Sequence, residues 1–254
     1  MHCGKIQYNM EEITNNNCSY YDNTDTNFKQ ACDLCEMNFS HDDLLELLKS
    51  GNIPQKQIAA LMLDTVTGKE DAEILLNNLT GCDGKIREAV AFKINLLLNN
   101  NVSKSFFADI AADKLADATI DINANICRHA VDSAVLLKEQ DNFSIQYTKK
   151  IIKFTNDALN ELDKFIFRDK KYVINKQIFK LYWCLEALKE FHEFSEESEL
   201  RNIVEKCATQ KEYTIREKIA QIIIKTNKFE DIKQKLINDE NYYVRQILHH
   251  PGFF

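Results

Sequence analysis

One short pattern returns along this chain and constrains it more than any other feature. A polar turn is followed by an aliphatic residue, a basic residue and then apolar residues at helical spacing. The anchor copy has Asp83, Ile86 and Arg87, then Ala89, Val90, Ile94 and Leu97. Later copies have Asn123, Ile126, Arg128, Ala130 and Val131, then Tyr213, Ile215, Arg216 and Ile219, and finally Tyr242, Val244, Arg245 and Leu248. Weaker echoes lie at Ile53 to Gln57 and at Val173 to Lys176. The steps between basic residues are 41 (Arg87 to Arg128), 48 (to Lys176), 40 (to Arg216) and 29 (to Arg245). Periods near 40 residues with two helices each mark a solenoid, in which a unit buries its apolar face only by stacking on its neighbours. The expected fold is therefore all-α, a solenoid of about five to six helical hairpins. Only six Gly and two Pro among 254 residues favour long uninterrupted helices and argue against an all-β chain.

Arginine usage sharpens the reading. The chain has six arginines against 26 lysines, and four of the six (Arg87, Arg128, Arg216, Arg245) fall in the repeat. A guanidinium offers a rigid fork that bridges a carboxylate or a turn carbonyl, which an ammonium does not. These four are expected to act as struts between repeats. A ladder of anion contacts along a groove is the functional alternative.

The run Asp83 to Ala89, a turn followed by an aliphatic residue and an arginine, resembles the inner-helix signature of the HEAT-repeat family, and the resemblance covers about residues 41–254. Two copies depart from it: the 121–126 turn lacks an Asp just before its aliphatic residue, and Lys176 stands where Arg is usual. The resemblance implies a scaffold or adaptor that binds another protein. A minority of the family bind or repair DNA, and a few act as cofactor-attachment lyases.

Charge is uneven. The net charge is −7. Residues 143–254 hold 20 Lys/Arg and 17 Asp/Glu, so the front 142 residues carry −10 and the back half +3. The acidic front argues against general nucleic-acid affinity, which needs clustered positive charge. A basic and aromatic stretch does occur at 149–180, with nine Lys/Arg against four acids and with Phe154, Phe165, Phe167, Tyr172, Phe179, Tyr182 and Trp183 interleaved. That chemistry suits base stacking and phosphate contact. It equally suits two amphipathic helices with aromatics inside and lysines outside.

Along the chain, residues 1–40 stand apart as a polar, Cys-bearing segment without helical period, and 41–254 form the solenoid. Ser40 is expected to cap the first helix, Thr67 to Glu70 to form a capping box, Ser103 to Ala118 to make one outer helix, and Ser195 to cap a later one. Two long helices are expected over 143–165 and 173–191. Cys3, Cys18, Cys32 and Cys35 are spaced C-x14-C-x13-C-x2-C. Four thiolates around one zinc ion would give a segment with little apolar core a reason to fold. An inert arm with free thiols, or a redox-active C-x-x-C, are the other readings. Cys82, Cys127, Cys184 and Cys207 read as small buried hydrophobes.

No apolar run approaches the ~20 residues of a membrane span, and no secretory h-region precedes Thr14, so a cytoplasmic protein is expected. No phosphate-binding glycine loop, Ser/His/Asp set or catalytic carboxylate pair is found, so no enzyme is expected. The expected function is non-catalytic binding of a partner protein on the concave face, through Lys85, Asn125, His129 and Lys176. The alternative is a nucleic-acid-binding or base-repair protein of the HEAT-like DNA glycosylase type, using the basic 149–180 face and an aromatic such as Tyr172.

Overall fold

A computed structural model describes residues 24–164 and 171–250. Among the described residues the chain is helical throughout its regular structure: α1 Thr24–Cys35, α2 His41–Ser50, α3 Ile53–Met62, α4 Lys69–Leu79, α5 Gly84–Leu98, α6 Asn101–Phe107, α7 Ala112–Thr119, α8 Ala124–Leu136, α9 Asp141–Lys164, α10 Lys171–Phe191, α11 Glu197–Ala208, α12 Tyr213–Thr226, α13 Glu230–Leu236 and α14 Tyr242–His249. A 3-10 turn, His192–Phe194, follows α10.

The helices stack in two layers. Outer helices α2, α4, α7, α9, α11 and α13 each touch the next in that order, and inner helices α3, α5, α8, α10, α12 and α14 do the same. Each outer helix packs on the inner helix that follows it. The result is six hairpins in one array with a continuous core between the layers. Leu48, Leu63, Leu75, Leu79, Ile94, Leu98, Leu115 and Ile126 are fully buried there. Each contributes about 1.5–3 kcal/mol of burial. The helix α1 packs on α3 and so extends the inner layer by one. Its only buried apolar residue is Leu34, too sparse a period to register as a helix in the sequence.

Local chemistry sets the turns. Ser40 with Asp43, and Asn52 with Gln55, form reciprocal capping boxes that start α2 and α3. Between them Gly51 is required by close approach: a Cβ there would lie 2.5 Å from the Leu47 carbonyl oxygen. Inner helices α5, α8 and α14 start with Asp83, Asn123 and Asn241, whose side chains accept from backbone N–H groups of the first turn. Two expected caps are placed differently. Thr67 does not pair with Glu70; its N–H and hydroxyl both donate to Asp71, at 2.8 Å each, and His41 Nε2 lies 3.0 Å from the same carboxylate. Ser195 caps nothing; its hydroxyl donates back to the His192 carbonyl. The expected single helix over Ser103 to Ala118 is broken between α6 and α7. The bend lets α6 lie across α4 and α5 while α7 pairs with α8 and α9, a division one straight helix would not permit.

Repeated side chains tie the array together. Arg87 holds Asp121 through Nε at 2.7 Å and Nη2 at 3.3 Å, and its Nη1 donates to the Gly81 and Cys82 carbonyls at 3.0 and 2.9 Å. Arg216 does the same with Asp239 at 2.7 and 2.9 Å and with the Gln210 and Lys211 carbonyls at 2.8 and 2.9 Å. Each arginine sits four residues after its helix cap; each aspartate sits two before the cap of the next inner helix. The tie to the next repeat does not extend to the other two. Arg245 bonds only its own turn, at the Asp239 and Glu240 carbonyls. Arg128 is exposed and makes no hydrogen bond or ion pair with any described residue. For Arg128 the register explains this: Arg87 is the fourth residue after cap Asp83, and the fourth after cap Asn123 is Cys127, whereas Arg245 does stand fourth after cap Asn241 and keeps the two turn carbonyls. The Cys127 thiol, not Arg128, reaches the carbonyl six residues back, donating to Asp121 O at 3.1 Å.

Candidate functional site

The inner helices α3, α5 and α8 enclose a groove of about 440 Å³ lined by Gln57, Leu61, Lys85, Glu88, Ala89, Phe92, Asn125 and His129. Its floor is Ala89, six residues after the α5 cap. The matching positions on α3, α8, α12 and α14 are Ile58, His129, Lys218 and Ile247, all larger, so the small side chain opens the space. Leu61 and Phe92 stand about 40% exposed on its walls, and Leu96 lies one turn beyond Phe92 at 47%. Phe92 meets His129 edge to face, with centroids 5.6 Å apart. Glu88 is held from α8 by two amides, Asn123 Nδ2 at 3.1 Å and Asn125 Nδ2 at 2.7 Å.

Three of the four binding candidates, Lys85, Asn125 and His129, meet in this groove. Lys176 does not line it; it is exposed on α10, the next inner helix but one from α5. Sequence reasoning missed the apolar walls. The signal was present: α5 is apolar around most of its circumference, whereas a helix at a surface needs one apolar stripe. The surplus residues Phe92 and Leu96 are the ones that face out.

Past α8 the inner face changes character. Glu186 on α10 takes the ammonium groups of Lys189, at 2.6 Å, and of Lys218. Glu190 pairs with Lys225, and Lys138 with Glu193 at 2.6 Å. Lys218 also lies over the Tyr182 ring, 4.5 Å from its centroid. Asp132 on α8 is exposed and has no such lysine. Partial burial pushes its carboxyl pKa up; His129 and Arg128 oppose the shift while Glu186 and Glu190 add to it.

The 149–180 basic stretch does not form one surface among the described residues. Its lysines divide between α9 in the outer layer and α10 in the inner one. Lys150 is committed to Asp113 and Asp117 at 3.3 and 2.9 Å, and Lys164 to Glu161 at 2.6 Å. Lys150 and Lys180 both cover Phe154, and Trp183 is buried in the core. Phe165 and Phe167 and the side chain of Tyr172 lie outside the described residues.

Of the four cysteines expected to hold zinc, Cys3 and Cys18 lie outside the described residues. Cys32 and Cys35 are exposed free thiols on the last turn of α1. No group of three or more His, Cys, Asp or Glu placed to hold a metal occurs among the described residues. Cys127, Cys184 and Cys207 are buried, as expected; burial pushes the thiols of Cys127 and Cys184 up to about 12, and Cys207 rises too, so none is a thiolate at neutral pH. Cys82 departs from expectation: it is exposed on the α4–α5 turn and disulfide-bonded.

No helix among the described residues is long and apolar enough to cross a membrane. No family model matches the chain, and no curated protein matches its sequence. Among solved structures it is similar to two engineered proteins. The first shares 13% identity over 84% of this chain and 94% of the other, and the second 16% over 84% and 96%, both with a TM-score of 0.47. It is also similar to an archaeal HEAT-like repeats protein from Thermococcus onnurineus NA1, at 11% identity over 84% of this chain and 79% of that one, TM-score 0.47. The chain's own helix pairing and its recurring arginine-to-aspartate ties make the fold an all-α solenoid of HEAT-like hairpins.

Proposed function

We infer that the chain is a non-catalytic scaffold whose inner-helix face holds a segment of another protein. The observation that carries the reading is the α3–α5–α8 groove. There Leu61 and Phe92 remain exposed beside Lys85, Asn125 and His129, in a chain that buries its other long apolar stripes between layers. An exposed apolar wall with a polar rim is the usual build of a partner site. Binding would work by shape and charge complementarity over an extended face. The nucleic-acid reading has less support, because the lysines of 149–180 divide between layers and two of them, Lys150 and Lys164, are tied to carboxylates.

The test is site-specific photocrosslinking in cells. A benzophenone amino acid at Phe92 is expected to trap a discrete protein adduct, and the same probe at Ile145, exposed on outer helix α9, is expected to trap none. Equal adducts from both positions, or none from Phe92, refute the reading.

A further inference from the structure

Accessible thiol chemistry on the described part of this chain is confined to one place. Among the described residues, Cys127, Cys184 and Cys207 are buried, Cys82 is disulfide-bonded, and the two exposed free thiols are Cys32 and Cys35. Both lie on the last turn of α1, three residues apart, so their side chains share one side of the helix. Helix geometry sets their Cα atoms about 5 Å apart, inside the ~4.4–6.8 Å that a disulfide spans. No third His, Cys, Asp or Glu is placed with them among the described residues to make a metal site. What the pair can do as it stands is give up two electrons and close on itself.

Closing reshapes the helix end. Cβ atoms three residues apart on an α-helix are separated by about 5–6 Å, whereas a disulfide needs about 3.5–4.5 Å. The last turn of α1 must therefore give by roughly an ångström or more. It is a helix end, closed by Glu36 N–H to the Asp33 carbonyl at 3.3 Å and Met37 N–H to the Leu34 carbonyl at 3.1 Å, and such ends fray readily. Leu34, between the two cysteines, is the one buried apolar side chain of α1. A further tie is an exposed one, from Asn52 Nδ2 to Gln30 Oε1 at 3.2 Å. The turn that must change shape is thus the turn that holds α1 to the array. Phe28 and Ala31 of α1 enclose a cavity of about 320 Å³ with Ile53, Pro54 and Ile58 of α3. Gln57 and Lys85 line both this cavity and the α3–α5–α8 groove, so the two spaces adjoin.

We propose that Cys32 and Cys35 form a reversible dithiol–disulfide site for low-molecular-weight disulfides of the glutathione class, and that closing it loosens α1 from α3 and opens that end of the groove. One cysteine thiolate attacks glutathione disulfide, whose S–S bond breaks and releases one glutathione. The second cysteine attacks the mixed disulfide and releases the other. The two thiol protons end on the two departing glutathiones; the chain is oxidised by two electrons and one glutathione disulfide is reduced to two thiols. The site does not depend on the scaffold reading.

The test compares the reduced full chain with the same chain after millimolar glutathione disulfide. Trypsin releases both cysteines in one peptide, 30–49, that holds no other cysteine. This peptide is expected to become lighter by two hydrogen atoms without gaining glutathione, and to revert with a reducing phosphine. Hydrogen exchange of the α1 amides is expected to quicken roughly tenfold or more on oxidation, while α5 and α8 keep their rates. Cys32→Ser and Cys35→Ser, both at exposed positions, are expected to stop at a glutathione adduct and to leave α1 exchange as in the reduced chain. Persistent glutathione adducts in the wild type, pairing of either thiol with another cysteine, or a zinc ion that keeps both thiols from the oxidant overturns the site. Closure with unchanged α1 exchange, or equally quickened exchange in the serine variants, overturns the release of α1.

Discussion

Replacing Arg216 by Ala should be among the most damaging single changes in the array. Its side chain and that of Asp239 are 7% and 6% exposed, and the guanidinium makes five donations: two to Asp239, one to Glu240 and one each to the Gln210 and Lys211 carbonyls. Removing one partner of a buried ion pair strands the other charge and costs about 3–5 kcal/mol. At roughly 2–4 °C per kcal/mol for a chain near this size, the melting temperature falls by about 6–20 °C. Arg216→Lys should recover only part of this, because an ammonium cannot hold Asp239 by two parallel bonds and the turn carbonyls as well. The assay is urea unfolding of wild type, Arg216→Ala, Asp239→Ala and the double variant. The cycle should show a coupling of about 0.5–3 kcal/mol. Replacing both partners by apolar residues of similar volume, Arg216→Met with Asp239→Leu, should be far milder than either alanine change. Arg128→Ala is the internal control and should stay within about 0.5 kcal/mol, as at any unbonded surface site. Equal costs for Arg216→Ala and Arg128→Ala would refute the claim that position in the repeat, rather than residue type, makes the strut. Because stability in a repeat array is nearly local, hydrogen exchange should place the loss in α12 to α14.

Further expectations follow from the same structure. In the buried pair Thr119 Oγ1–Tyr147 Oη, 2.8 Å, the threonine hydroxyl also has the Leu115 carbonyl. Thr119→Val should therefore cost more (about 1–3 kcal/mol, a stranded phenol) than Tyr147→Phe (about 0.5–1.5 kcal/mol) in thermal melts; the reverse order refutes the assignment. Native maleimide labelling mapped by mass spectrometry should modify Cys32 and Cys35 and spare Cys127, Cys184 and Cys207 until the chain unfolds. Zinc on the N-terminal cysteines predicts one ion per chain by elemental analysis, absent from Cys32→Ser; metal-free wild type refutes it. For Asp239, burial raises the carboxyl pKa, but the bonds from Arg216 and from the Asn241 N–H outweigh it and the net shift is down. A lowered folded pKa gives stability that is complete above the unfolded value, about 3.9, and is lost as pH falls through the folded one. The acid limb of stability against pH should thus flatten in Asp239→Asn, and an unchanged limb would refute it.

The hairpins were readable because two signals agreed: a period near 40 residues, and apolar positions at helical spacing within each unit. The long pair α9 and α10 and the last two hairpins stand where the pattern puts them. What failed was register at single-residue scale. Arg128 looks like its fellows only if the repeats are aligned on arginine. Aligned on the helix cap, which is where the backbone geometry is set, the strut position is Cys127. Sequence spacing alone cannot choose between the two alignments, because a one-residue offset leaves the apolar stripe almost unchanged while turning one side chain by about 100°. The same limit hid α1, with a single buried apolar residue, and the α6–α7 break, which is set by which neighbours each half meets and not by any breaker residue.

That offset also links the struts to the α3–α5–α8 groove. At the fourth position after the cap, a side chain turns back along its own turn and toward the next repeat, so an arginine there is consumed by structure. At the fifth position it stands on the inner face: Glu88 is there on α5, reaching Asn123 and Asn125 across the groove, and Arg128 is its counterpart on α8. A thiol at position 127 suffices for the carbonyl it inherits, and the guanidinium one residue on makes no hydrogen bond to a described residue and acts only through its charge on Asp132, one turn along α8.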